Sequence, residues 1–322
     1  MSFKDIKVIR KVFANEISKA KTDTIKVKDL GYEDEFLNEI LFEENEKGGK
    51  TFSKEILPVL TKIDFTSVDF GGFFCRDYDF SKLKGVEINP QRVYNKSLYG
   101  AKLRGVKFIG PFDEVDIVTA KFTGSIGAKI DPEKILKKEI HYTDCCDVEF
   151  IGSFESLKIS FVSFKGSKGA VINPQLLGSK SMYRCDFSDV TFTGSFKNTD
   201  IRECSFAGSV GAIINPQEVT DLYNSSFKDV KFIGSFDGVR ILNCDFTGST
   251  GAIINPQTIW YKEVTGVCFT DALIDGSFKG IQVKRSQLKG AKFKNYDDIF
   301  NKDFKREFKI KIAELTNKNY VK

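Results

Sequence analysis

The sequence predicts a mainly β protein wound into a coil of square cross-section, with helices at either end. Three observations carry that prediction. A unit of about 42 residues recurs through the middle of the chain, a beat of five residues runs inside each unit, and along the beat a large apolar residue follows a small one. The recurrence is plainest in two phrases. Ile-Asn-Pro, once Ile-Asp-Pro, stands at Ile88-Asn89-Pro90, Ile130-Asp131-Pro132, Ile172-Asn173-Pro174, Ile214-Asn215-Pro216 and Ile254-Asn255-Pro256, at spacings of 42, 42, 42 and 40. Gly-Ser-Phe, first met as Gly-Pro-Phe, ends at Phe112, Phe154, Phe196, Phe236 and Phe278, at spacings of 42, 42, 40 and 42. Repetition at such a period marks a stacked-repeat architecture.

The shorter beat sets the shape of each repeat. From Phe187 the apolar positions run on to Phe192, Phe196, Ile201 and Phe206, and back to Met182, Leu177, Ile172 and Phe164. Steps of five and four, with one step of eight per unit, fit neither the 3.6 of a helix nor the 2.0 of an ordinary strand. Four steps close one lap, each a short extended face meeting the next at a corner, and two laps make a unit. The residue two before each centre is small: Ala101, Thr143, Cys185, Ser225 and Val267 precede Leu103, Cys145, Phe187, Phe227 and Phe269. The next face repeats the rule with Val106, Val148, Val190, Val230 and Ala272. A large and a small side chain turned inward on every face let the large ones stack from lap to lap at interior density. That stacking accounts for 31 Phe against ten Tyr and one Trp, since twenty phenylalanines fall on central positions. Phe161 alone has no place in the coil or its ends.

Ala101-Lys102-Leu103-Arg104-Gly105, Cys185-Asp186-Phe187-Ser188-Asp189, Cys244-Asp245-Phe246-Thr247-Gly248 and Ala291-Lys292-Phe293 resemble the Ala-(Asp/Asn)-Leu-x-x signature of pentapeptide-repeat proteins. The resemblance covers residues 63–295 and implies a right-handed quadrilateral β-helix, a solenoid of about eleven coils counted from Phe65 to Phe293. Family members of known activity include proteins that protect DNA gyrase from quinolones by imitating the shape and charge of DNA. This chain departs from the plain pattern in its Gly-Ser-x-Gly-Ala insertion, in the eight-residue step, and in two residues missing between Pro216 and Phe227. Local bulges at fixed corners are expected there.

A solenoid must cover both ends. Phe3, Ile6, Ile9, Phe13 and Ile17 lie at helical spacing, Phe36, Leu37, Ile40 and Leu41 mark a second helix, and Ser53–Leu60 a short third one, so residues 1–62 read as a helical N-terminal cap. Residues 296–322 read as a C-terminal helix carrying the stripe Phe300, Phe304, Phe308, Ile312 and Leu315. That stripe is either a lid over the last lap or the seam of a homodimer.

Chemistry is sparsely represented. His141 is the single histidine, so histidine-rich zinc sites are excluded. Cys185, Cys204 and Cys244 occupy the small inward position, where free cysteine acts as a small hydrophobe. Cys185 and Cys204 are lap neighbours, close enough for a disulfide to be conceivable. Of the adjacent Cys145 and Cys146, one faces in and one out, and with no C-x-x-C pair neither zinc nor any other metal or cofactor is expected. Gly-Ser-x-Gly at Gly124, Gly166, Gly208 and Gly248 lacks the Lys-Ser/Thr and helix of a phosphate loop, so its glycines are read as corner residues with positive φ. Asn89, Asp131, Asn173, Asn215 and Asn255 form either a ladder of structural turns or a repetitive binding edge. No pair of carboxylates suggests acid–base work, and no catalytic residue is expected.

The most suggestive surface positions follow the centres Leu98, Ile140, Met182 and Leu222. Tyr99, His141, Tyr183 and Tyr223 should point outward there, flanked by Lys96, Lys138, Lys180 and, in the next unit, Lys262. Interleaved aromatics and cations can anchor a protein, stack nucleic-acid bases, or simply cover a sheet face. Residues 61–296 hold 31 basic and 27 acidic residues. A DNA mimic needs a strongly negative surface, which this is not, and a nucleic-acid binder needs a basic stripe, which is equally lacking. The expectation is a non-enzymatic scaffold for a protein partner, with a DNA-mimicking topoisomerase modulator and a weak nucleic-acid binder as alternatives. No apolar run approaches the roughly 18 to 20 residues of a membrane helix. Met1-Ser2-Phe3-Lys4-Asp5-Ile6-Lys7 lacks the apolar stretch of a secretory signal, so a cytoplasmic protein away from membranes is expected.

Overall fold

The computed structural model describes residues 3–22 and 24–294. It divides into two compact units, Met1–Gly152 and Ser153–Lys322. Each contains laps of short parallel strands, and the fold is a mainly β solenoid. The stripe from Phe300 to Leu315 lies outside the described residues.

The first unit opens with its cap. Helix α1 (Phe3–Lys19) buries Phe13 and Ile17, and α2 (Asp34–Leu41) buries Leu37, Ile40 and Leu41. A helix end leaves carbonyls unpaired, and here Arg10 of α1 closes that gap. Its buried guanidinium donates from Nη2 to Glu39 O at 2.8 Å and to Phe42 O at 2.5 Å. The third expected helix is instead a 3-10 turn at Leu57–Lys62. Pro58 would have stood inside an α-helix over 53–60, removing an N–H and crowding the preceding turn. Between the two lies a hairpin of Phe42–Glu44 and Lys50–Phe52, turned at Asn45, whose Oδ1 accepts from the amides of Lys47 and Gly49. The cap joins the coil by strand addition: Ile25–Lys26 pairs parallel with Ile63–Asp64, and Lys50 bridges Phe73. The exposed edge of the first lap is thereby paired.

The second unit shows the five-residue register most cleanly. Lys158–Ser160, Ser181–Tyr183, Asp200–Arg202 and Asp221–Tyr223 stack parallel, with Met182 opposite Ile201 and Ile201 opposite Leu222. Inside, Phe164, Phe187, Phe206, Phe227, Phe246 and Phe269 form a ladder with successive ring centroids 6.0, 5.3, 5.9, 5.6 and 6.5 Å apart. All six are fully buried.

The repeated phrases interlock between laps. Each Asn or Asp of the Asn-Pro corner accepts the amide two residues on, as Asn173 Oδ1 does from Gln175 N at 3.1 Å. This is the turn role among the two read from the sequence. Each also packs beneath the glycine of a Gly-Ser-Phe or Gly-Pro-Phe phrase; a Cβ on Gly194 would lie 2.5 Å from Asn173 Oδ1. The Gly-Ser-x-Gly amides are anion sites whose anion is internal. Gly124, Gly166, Gly208 and Gly248 each donate at 2.8 Å to a carboxylate of the following lap, that of Asp147, Asp189, Asp229 and Asp271.

Candidate partner-binding face

The strand register decides which outward residues meet. In the first unit Tyr99 and His141 stand half-buried beside the buried Leu98 and Ile140. The Arg76 guanidinium lies 4.3 Å over the Tyr99 ring, and His141 meets Tyr142 edge-on at 4.3 Å. In the second unit Arg202 pairs with Tyr183 on one side and Tyr223 on the other, so the two tyrosines recur on alternate laps, ~9.6 Å apart at two strand spacings.

The expected lysines do not form the cationic partners of these rings. Lys96 pairs with Glu114 at 3.0 Å, Lys180 donates to the Gln175 carbonyl, and Lys138 and Lys262 sit at corners with φ of 47° and 49°. The stacked cations are arginines, which the sequence reading missed. Arg184 lies 5.2 Å from Tyr183, Arg202 5.7 Å from Tyr183, and Arg240 4.7 Å from Tyr223 and 5.5 Å from Trp260. They occupy different positions of the repeat: Arg184 adjoins Tyr183 in the chain, whereas Arg202 and Arg240 meet their rings through lap stacking. Phe161 also finds its place here, edge-on to Tyr183 at 5.0 Å and beneath Arg184.

Carboxylates complete the face. Glu203 accepts from Arg184 and, at 3.0 Å, from the Tyr183 hydroxyl. The arginine holds its carboxyl below the usual range, and the shared hydrogen bond raises the phenol. Arg202 is held by Asp200. Asp221 is less well served, because its Oδ2 lies 3.9 Å from Arg240 Nη1 and its buried Oδ1 has no hydrogen-bond partner among the described residues. Burial pushes its carboxyl up, and Asp200, in register beside it, adds to the rise against the pull of Arg240. A surface concavity of about 490 Å³ opens beside it, walled by Thr220, Asp237, Val239, Arg240 and Trp260.

The inward small positions hold thiols as expected. Cys204 Sγ donates to Met182 O at 3.1 Å and Cys244 Sγ to Leu222 O at 3.3 Å. Cys145 is buried and its neighbour Cys146 half-exposed. The faces centred on Phe187, Phe206, Phe227 and Phe246 thus each turn a large residue and a small one inward, the small ones being Cys185, Cys204, Ser225 and Cys244. The chain has the pentapeptide-repeat fold. No family model matches it, and neither does any curated protein. Among solved structures it is similar to HetL, a pentapeptide repeat protein involved in heterocyst differentiation regulation from the cyanobacterium Nostoc sp. strain PCC 7120. The identity is 13%, over 71% of this chain and 84% of that one, with a TM-score of 0.26. It is also similar to two trypsin-treated variants of QnrB1, a plasmid-mediated fluoroquinolone resistance protein. These are 13% and 14% identical, over 67% of this chain and 90% of theirs, with TM-scores of 0.22 and 0.20. The fold rests on the chain's own register and not on these likenesses. Among the described residues no group of three potential ligands could hold a metal ion, and no helix is long and apolar enough to cross a membrane.

Proposed function

We propose that the pentapeptide-repeat coil is a non-enzymatic, rigid scaffold and that its outer face in the second unit binds a protein partner. The observation that carries this reading is the cluster of Tyr183, Arg202 and Tyr223 on adjacent strands with Phe161, Arg240 and Trp260 stacked against them. Tyr, Trp and Arg dominate binding hot spots because they bring much contact area for few rotatable bonds. Here the arginines are already ordered by ring stacking and carboxylates, so little freedom remains to be lost on association. In the first unit Tyr99 with Arg76 repeats the motif on a smaller scale. The excess of basic residues favours this reading over a DNA mimic acting on a topoisomerase, which a supercoiling assay at micromolar protein would reveal.

The test is affinity capture with the wild-type chain and with a variant carrying Tyr99→Ser, Tyr183→Ser and Tyr223→Ser. The wild type should retain a stoichiometric protein that the variant loses while melting at the same temperature. Equal capture by the two would sink the tyrosine face.

A further inference from the structure

The corners after Asn-Pro differ at one place. Nine residues separate Asn89, Asp131, Asn173 and Asn255 from the next inward centres, Leu98, Ile140, Met182 and Val264, but only seven separate Asn215 from Leu222. The four long corners each bring a lysine two residues before the centre: Lys96, Lys138, Lys180 and Lys262. The short corner has Thr220 there. In the first unit Lys96 shows what such a lysine can do, pairing with Glu114 at 3.0 Å. In the second unit, beside Thr220, Asp221 has no comparable partner. Arg240 is 3.9 Å away, beyond hydrogen-bond reach, and is held over Tyr223 and Trp260; Arg202 is committed to Asp200.

The concavity of about 490 Å³ lies at this short corner. Among its walls are two carboxylates, Asp221 and Asp237, and one cation, Arg240, so it carries one uncompensated negative charge. Asp237 is satisfied by the hydroxyls of Ser235 and Thr258, which leaves Asp221 as the group in want of a cation. Trp260, 45% exposed, and Val239 supply an apolar wall beside it.

We propose that this concavity takes the ammonium group of a lysine side chain presented by the protein partner, replacing from outside the lysine that the other four corners carry themselves. The alkyl stem would lie along Val239 and the indole while the ammonium sits between the Trp260 ring and the Asp221 carboxylate, where cation–π attraction and a charge-assisted hydrogen bond act together. An ammonium is compact enough for a corner that already holds one guanidinium. The inference rests on the protein-partner reading of this face and specifies what the partner must bring.

Trp260 is the single tryptophan, so its fluorescence reports this site alone. Titration with Nα-acetyl-lysine methylamide should change the emission saturably, with a dissociation constant on the order of millimolar. Asp221→Asn, and separately Thr220→Lys, should each weaken that binding about tenfold or more without altering the melting temperature. The uncharged norleucine analogue should leave the emission unchanged. An absent or unsaturable response, an equal response to norleucine, or preferential binding of the glutamate analogue at Arg240 would overturn the proposal. Partner capture distinguishes the two readings. Capture that survives Asp221→Asn but fails in the tyrosine variant overturns the lysine pocket and leaves the scaffold standing.

Discussion

On successive laps of the second unit the inward column runs Phe164, Phe187, Phe206, Phe227, Phe246 and Phe269, while the column four residues earlier runs Ser160, Tyr183, Arg202, Tyr223, Leu242 and Thr265. One column is the same residue six times, and the other changes at every lap. The inward position has a narrow set of solutions, because a ring must fill the coil and meet the rings above and below. The outward position has no ring to fill the coil with, so it varies from lap to lap. The comparison separates what holds this protein together from what it can recognise.

Substitutions at inward and outward positions should differ widely in cost. Phe192→Asp buries an unpaired charge against Phe187 and Phe196 and should abolish folding, whereas Thr191→Asp next to it should cost less than about 1 kcal/mol. Phe206→Ala should cost about 3–5 kcal/mol, and its outward neighbour Arg202→Ala about 1 kcal/mol or less, by urea unfolding. Equal losses within either pair would refute the five-residue register.

At the corners two glycines differ in the room around them. Gly208 and Gly211 both have positive φ, 82° and 74°, but a Cβ on Gly211 would lie 2.6 Å from Phe192 O, while the nearest atom to one on Gly208 is 3.8 Å away. Gly208→Ala should therefore cost only the conformational term of about 1–2 kcal/mol, and Gly211→Ala clearly more, read as melting temperatures. Asp229→Ala, which frees the Gly208 amide, should cost about 1 kcal/mol. The smallest effect has the opposite sign. The Ser209 hydroxyl is buried with no partner among the described residues, so Ser209→Ala should be neutral or raise the melting temperature.

The inward half of the structure was legible because packing imposes one rule at every lap, and twenty phenylalanines repeat it. The turn role of Asn173 and the positive φ of Gly166 were legible for the same reason. Arg202 and Arg240 were not, since each meets its ring across a lap rather than along the chain, and Arg184, next to Tyr183 in sequence, reaches Phe161 in the same way. The short corner at Asn215 was visible as a gap of two residues, but the concavity also needs Trp260, which belongs to the next unit of the repeat. The hairpin at Phe42–Glu44 went unseen because its first strand continues directly from α2 without a turn signal. Of the lysines read beside the tyrosines, Lys96, Lys138 and Lys262 stand at 3-10 corners rather than on the strands that carry the rings.

The seven cysteines offer an unperturbed test of inward against outward. Cys75, Cys145, Cys185, Cys204 and Cys244 are buried, and Cys146 and Cys268 are half-exposed. Burial pushes the Cys244 thiol up to about 12 and the Cys75 thiol higher still, which suppresses the reactive thiolate. Alkylation of the native protein with iodoacetamide, mapped by peptide mass, should modify Cys146 and Cys268 and reach the other five only after unfolding. Modification of Cys185, Cys204 or Cys244 in the folded chain at the rate of Cys146 would contradict the five-residue register.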